Sequence, residues 1–367
     1  MPCLRLRVKR LRSDCVISGG NAMQGPLKAR LAVILLILPW FVCGGCWSRG
    51  PREVVVYTAL DSDFSEPIFD DFESRRGIKV LPKFDTESTK TVGLTEALLA
   101  ERDQPRCDVF WNNEILHTIR LRGQGVLDVY QSRVADSYPA MYRSPDGYWH
   151  GFAARARVLI VNTSLTTEAN RPGSIFDLAD PKWRGKAAIA KPLFGTTATH
   201  AACLFAALGP GKARDYFRSL KQNDVQVLSG NKQVALSVAA GTAVFGLTDT
   251  DDAIIELEKG MPVAIVYPDQ GEGQMGTLFI PNTLGVIRNC PNPKNARRLV
   301  DYLLSPEIEI KLAKGPSAQI PLNPDVDVEL RVETPKTIRA MEVDFEQAAE
   351  QWHASSGFVR NLFAGAD

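Results

Sequence analysis

Histidine is scarce in this 367-residue chain, which has four, at positions 117, 150, 200 and 353. No HExxH or GxSxG motif and no Cys/His pairing accompanies them, so the signatures of zinc proteases, nucleophile-elbow serine hydrolases and cysteine nucleophiles are missing. Cysteine is nearly as sparse beyond the first 46 residues, where only Cys107, Cys203 and Cys290 occur, far apart and without CxxC spacing. Each sits in an apolar context (CDVFW, AACLFAAL, GVIRNC), which predicts buried free thiols rather than a disulfide or a thiolate metal site. Charge of either sign is not in excess either: the chain carries a net +1. Residues 1–46 hold seven basic residues and one acidic one, leaving 36 basic against 41 acidic, a net −5, in the remainder. A mildly acidic domain without a Lys/Arg cluster has no pull toward nucleic acid. No repeat or low-complexity tract is present, and 367 residues suffice for roughly two domains.

What is present begins with LAVILLILPWFV (Leu31 to Val42), preceded by Lys28 and Arg30 and followed by Cys43-Gly44-Gly45-Cys46. The run is shorter than the roughly 20 apolar residues a membrane span needs and ends in small residues, as an export signal does. CGGC resembles a bacterial lipobox with Cys43 where Leu is usual, which makes Cys46 the candidate lipidation site. Residues 1–46 are therefore expected to be a leader, with the true start at Met23. The mature chain is expected to be exported to the periplasm or cell envelope and anchored through Cys46.

The mature chain alternates between two periodicities. EVVVYTAL is a β-branched strand, FSEPIFDDFESRRG repeats Phe64, Ile68, Phe69 and Phe72 at helical spacing before the stop at Gly77, and IKVLPKF is a second strand. This βαβ start implies parallel pairing with helices covering the sheet. Similar units follow to PVAIVYP, with no Pro/Gly/Ser-rich linker between them. The fold class is thus α/β with two lobes, each a mainly parallel sheet flanked by helices, joined by crossover strands at Ala154 to Asn162 and Leu278 to Ile287. Lobe 1 is expected to comprise 53–155 plus 285–318, and lobe 2 160–280 plus 321–367. A hinged cleft at strand C-termini and helix N-termini follows from that topology.

The candidate site residues lie at those ends. FGLTDTDDA places Asp249, Thr250, Asp251 and Asp252 after a strand and at the start of a helix. They could cap it, each acid contributing about 0.3–1 kcal/mol through the helix dipole, or face a cation or ligand amine; both roles can coexist. Thr196, Thr197 and Thr199 in FGTTATHAA suggest an anion seat at a helix start, with His200 packed rather than liganding. Tyr57 and Thr58 end the first strand, Asp61 follows in the loop, and Glu114 follows CDVFW. Arg155 and Arg157 flank a crossover strand, one of them expected to point inward and able to hold an anion bidentately. Tyr267 opens the glycine-rich loop PDQGEGQMG, whose spacing is not a dinucleotide fingerprint.

The order of leader, VVVYTAL, RRGIKV, CDVFW-Asn112-Asn113-Glu114 and GYWHGFAARARVLIVNT resembles the periplasmic substrate-binding proteins of ABC importers, in the branch associated with ferric iron. The resemblance extends from Glu53 to the C-terminus. It implies a type II clamshell, a membrane permease as partner, a monomer, no enzymatic activity and no cofactor. The implied ligand is Fe3+ with a synergistic anion, and the resemblance favours Arg155 as the arginine on that anion. Adjacent tyrosines, which grip iron in that branch, are missing where FGLTDTDDA stands, so the implied metal donors here are Asp249, Asp251 and Tyr57, with Tyr267 as a further phenol. A phosphonate, a phosphorylated organic ligand or a polyamine is the alternative ligand. A secreted carboxylate-dependent hydrolase is the alternative class, and a sensory lipoprotein on the same clamshell a third.

Overall fold

A computed structural model describes residues 52–85 and 92–363. The leader, with its start at Met23 and lipidation at Cys46, lies outside these residues. Strand β1 (Glu53–Thr58), helix α1 (Ser62–Arg76) and β2 (Lys79–Phe84) form the expected βαβ unit, with β1 and β2 parallel. Helix α1 stops where Gly77 adopts φ 60°, a left-handed conformation that costs glycine little. Next come α2 (Val92–Ala100), β3 (Val109–Asn112), α3 (Leu116–Gly123) and β4 (Leu127–Asp128), with β3 parallel to β1.

The long strand β5 (His150–Asn162) is buried along all thirteen residues. It is followed by β6 (Ala187–Ala190), α4 (Gly195–Leu208), α5 (Pro210–Gln222), β7 (Gln226–Leu228), α6 (Asn231–Ala239), β8 (Phe245–Asp249), α7 (Thr250–Glu258) and β9 (Val263–Val266). Strand β10 (Phe279–Ile287) leads to α8 (Pro293–Leu303), α9 (Pro306–Lys314), α10 (Phe345–Glu350) and α11 (Trp352–Leu362). Residues 321–344 run without helix or regular strand.

The strand order is β2-β1-β3-β10-β5-β8-β6-β7, with β4 added on β10 and β9 on β5. The first half of β5 pairs antiparallel with β10, and its second half with β8 and β9. Thus β5 is the strand through which two half-sheets join. One apolar cluster fills the first half-sheet and the centre, and a second, around Leu159, Phe205, Phe217 and Phe245, fills the outer part of the second. The register of β5 on β10 shifts at Pro281/Asn282 beside Ala153, which adopts φ 42°. Pairing with β10 resumes after this irregularity as far as Ala156, and β8 takes over at Arg157. Cys107, Cys203 and Cys290 are buried free thiols, as their apolar contexts imply. Among the described residues no helix is long and apolar enough to cross a membrane.

Candidate ligand-binding cleft

Four strands end at one cavity, and each hands over to a helix there: β1 to α1, β6 to α4, β7 to α6 and β8 to α7. The cavity has a volume of about 770 Å3, within the range of small-ligand sites. Its first wall, on the β1 side, carries Thr58, Asp61, Asp63, Asp85 and Asn113. Its second wall, on the β8 side, carries Arg155, Lys191, Thr196, Thr197, Asn231, Lys232, Asp249, Asp251 and Asp252. The N-cap residues of α1, α4, α6 and α7 make no side-chain cap, which turns the first-turn N–H groups of α4 and α6 toward the cleft, while in α7 Asp252 N donates to Asp251 Oδ1 at 3.1 Å. Gly195 opens α4 at φ 53°, where a side chain would be strained.

Asp249 stands at the N-cap position of α7 without making a side-chain cap. Its Oδ1 accepts from Arg157 Nη1 at 2.6 Å, and its Oδ2 from Thr196 Oγ1 at 2.5 Å and Asn231 Nδ2 at 2.9 Å. Arg157 is fully buried and also reaches the Thr197 hydroxyl at 3.3 Å. Burial alone would raise the Asp249 pKa, but Arg157 and Arg155 hold the carboxyl below its ordinary value. Asp249 is therefore neither a simple cap nor an open ligand; it anchors a buried network under the second wall.

Arg155 lies two residues before Arg157 on β5, so both point to the same face. The expectation that one alone would turn inward is corrected by that periodicity. Arg155 Nη1 donates to Asp251 at 3.2 Å and lies 3.8 Å from Asp249, while Nη2 donates to the Asn113 carbonyl of the first wall. Oxygens of Asp249, Asp251 and Asp252 lie within 4.8 Å of one another, close enough for one cation. Two of these three carboxylates already face guanidinium groups, so a metal there competes with Arg155 and Arg157.

Other expected site residues lie elsewhere. Tyr57 and Thr58 are neighbours on a strand and face opposite ways, and it is Thr58 that lines the cleft. Tyr57 instead donates to Glu101 at 2.9 Å, and burial together with that carboxylate pushes its phenol above the ordinary value. It is not a donor to the Asp249 cluster. Tyr267 lines a separate cavity of about 790 Å3 beneath residues 326–337; its hydroxyl accepts from Glu333 N at 2.8 Å and is pushed by burial to about 12. Glu114 is fully buried: it accepts from the backbone N–H groups of Leu116 at 2.6 Å and His117 at 2.9 Å, and from Thr199 Oγ1 at 2.8 Å. Burial opposes its ionisation, yet His117 and these donors bring its pKa to about 2. Glu114 and Thr199 thus join α3 to α4 beneath the cleft rather than lining it. Thr250 is buried with its hydroxyl accepting from Ala156 N at 3.2 Å. His200 is packed, its pKa lowered by burial and by Arg157 to about 3. Of the expected residues, Thr58, Asp61, Arg155, Thr196, Thr197, Asp249 and Asp251 line the cleft, with Asp252 beside them.

Sequence reasoning missed Asn113, Lys191, Asn231 and Lys232. Asn113 is 3 % exposed, and its side-chain oxygen has no hydrogen-bond partner. Asn231 had a signal: Ser229-Gly230-Asn231 follows β7 as FGTT follows β6, a strand running into a helix start.

The profile of the family described as bacterial extracellular solute-binding protein matches residues 118–349, more than half of the chain. The chain belongs to that family. This solute-binding protein is 26% identical over 290 residues to iron uptake protein A1 of Synechocystis sp., spanning 75% of this chain and 79% of that one. In fold it is similar to iron-bound HitA from Pseudomonas aeruginosa (TM-score 0.76, 21% identity, 84% of this chain and 99% of that one). It is also similar to the periplasmic binding protein AfuA from Actinobacillus pleuropneumoniae with exogenous fructose-6-phosphate bound (TM-score 0.73, 23% identity, 86% and 98%). The fold is that of a type II periplasmic clamshell, and the family consists of binding proteins.

Proposed function

We propose that this solute-binding protein is the extracytoplasmic receptor of an ABC importer and captures in its cleft a solute with an anionic and a cationic part. One arrangement carries the reading: the uncapped starts of α4 and α6, with Arg155 and Lys191, face a wall whose charged residues are Asp61, Asp63 and Asp85. Helix N-termini and guanidinium favour an anion, while carboxylates suit a hard cation. Ferric iron with a synergistic anion satisfies both walls, and the likeness to an iron uptake protein and to an iron-bound receptor supports it. Asp249, Asp251 and Asp252, or the acids opposite, would then supply the oxygens.

A second reading rests on the lining itself, in which no tyrosine occurs. A phosphorylated or phosphonate-bearing organic solute needs no phenolate, and its anion would sit on the same helix starts. A polyamine fits less well, because it would place positive charge against those N-termini.

Calorimetric titration with ferric citrate and with fructose-6-phosphate tests the proposal. Saturable 1:1 binding of one of them, recovered chemically intact, is expected; conversion to product would support a hydrolase instead, and no heat with either would remove both ligand classes. If iron binds, no visible tyrosinate-to-iron charge-transfer band should appear, since Tyr57 and Tyr267 are outside the cleft.

The lobes proposed to close on the solute are 53–155 plus 285–318 and 160–280 plus 321–367, and the closed monomer would dock on a membrane permease. Closure is a population shift driven by the extra contacts the solute makes in the closed form. Export with lipidation at Cys46 completes the proposal, and the mass of the mature N-terminal peptide tests it.

A further inference from the structure

Residues 321–344 form a strap tied down at several points. Leu322 N and Asn323 N donate to Glu309 of α9 at 3.0 and 2.8 Å, Glu333 N donates to Tyr267 at 2.8 Å, and Ala340 bridges to Thr277. Midway along it, Arg331 makes contacts of a different kind. Its Nη1 donates to Glu258, the last residue of α7, at 2.5 Å, and its Nη2 donates to the carbonyls of Ala313, at 3.3 Å, and Gly315 at the end of α9. One guanidinium therefore sits between two helix C-termini, one from each lobe, where the macrodipoles favour a cation.

Both legs of this bridge connect to the cleft. Gly315 precedes Pro316, which lines it, and α7 carries Asp251, Asp252 and Ile255 into it. Nine residues of helix span about 13 Å, so α7 is a short rigid rod with its first turn at the ligand space and its last residue held by Arg331. We infer that Arg331 is a positioning residue for ligand capture: by pinning the end of α7 to the end of α9, it sets the angle at which the Asp251–Asp252 turn meets the first wall. A lysine would not reproduce this, because the planar fork addresses two directions at once. The inference rests on the clamshell capture proposed above, but its first test needs no ligand.

The test uses the full chain with spin labels attached through azidophenylalanine at positions 103 and 215, exposed sites in lobe 1 and lobe 2, and pulsed electron paramagnetic resonance distances without ligand. Arg331→Met and Glu258→Leu should each broaden and shift the inter-lobe distance distribution, and the double variant should add nothing further. Each should also weaken binding of whichever probe binds the parent, ferric citrate or fructose-6-phosphate, by about five-fold, the scale of a partly exposed charged contact. Folded variants with the parental distance distribution would overturn the inference. Should Arg331→Met fail to fold, Glu258→Leu removes only the lobe-2 leg and decides alone. Failure of both probes to bind the parent would count against the proposed ligands while leaving the distance result to judge Arg331.

Discussion

The two walls of the cleft are built on different principles. In the second wall, Arg157, Asp249, Thr196 and Thr197 form a buried network with the half-buried Asn231, whose members hold one another in place. In the first wall, Asp61 and Asp63 are exposed on the turn into α1, and Asp85 is half-buried at the end of β2. The contrast separates two roles that acids of one cleft can take. Asp249 organises the helix starts that meet an anion, whereas Asp61 and Asp63 opposite are exposed carboxylates that a cation would draw on, and Asp85 accepts from Leu94 N at 3.4 Å. Removing one partner of a buried ion pair leaves the other charge uncompensated, whereas an exposed carboxylate can be replaced at little cost, so the two walls should respond to mutation differently.

The largest effect should come from Arg157→Met, which leaves Asp249 buried without its main partner. A loss of about 3–5 kcal/mol in urea unfolding is expected. Asp249→Asn should lose stability and affinity together, and parental stability in that variant would place the network outside the fold's support. Acid should act through the same interior. Glu114, at about 2, and Asp249, also lowered, are depressed below their unfolded values. Each therefore contributes stability that is fully present above about pH 4 and is lost as pH falls toward the folded value. Thermal unfolding between pH 7 and pH 2.5 should show a flatter acid limb in Glu114→Gln than in the parent. Equal limbs would remove Glu114 from the account.

On the first wall, Asp63→Asn should leave the unfolding free energy within about 0.5 kcal/mol of the parent and change only ligand affinity. A loss of stability as large as that at Arg157 would erase the distinction between the walls. On ligand affinity the smallest effect is expected from Tyr57→Phe, which should remove the hydrogen bond to Glu101, about 1 kcal/mol of stability, with binding unchanged.

These differences bear on what sequence could reveal. The βαβ alternation was legible because apolar spacing switches cleanly between two and 3.6 residues, and the joining role of β5 because no linker separates the units. The cleft's location followed from strand ends preceding helix starts. Side-chain direction did not follow as readily. Tyr57 and Thr58 cannot both face the cleft, and Arg155 and Arg157 must face the same way; strand periodicity decides both, once β5 is seen to run from His150 as one buried strand. The link from Glu114 to Thr199 joins residues 85 positions apart, and Arg331 reaches Glu258 across 73, so neither had a local signal. FGLTDTDDA could be read as a cap or a ligand set because the third role, an ion pair to a buried strand arginine, depends on tertiary pairing of β8 with β5.

Native mass spectrometry of the protein purified without added ligand tests the two-walled cleft most directly. The predicted spectrum carries one bound solute per chain, an anion with or without iron, that is lost on Arg155→Met while the protein stays folded. A chain that carries nothing, and takes up neither ferric citrate nor fructose-6-phosphate when they are offered, would contradict it.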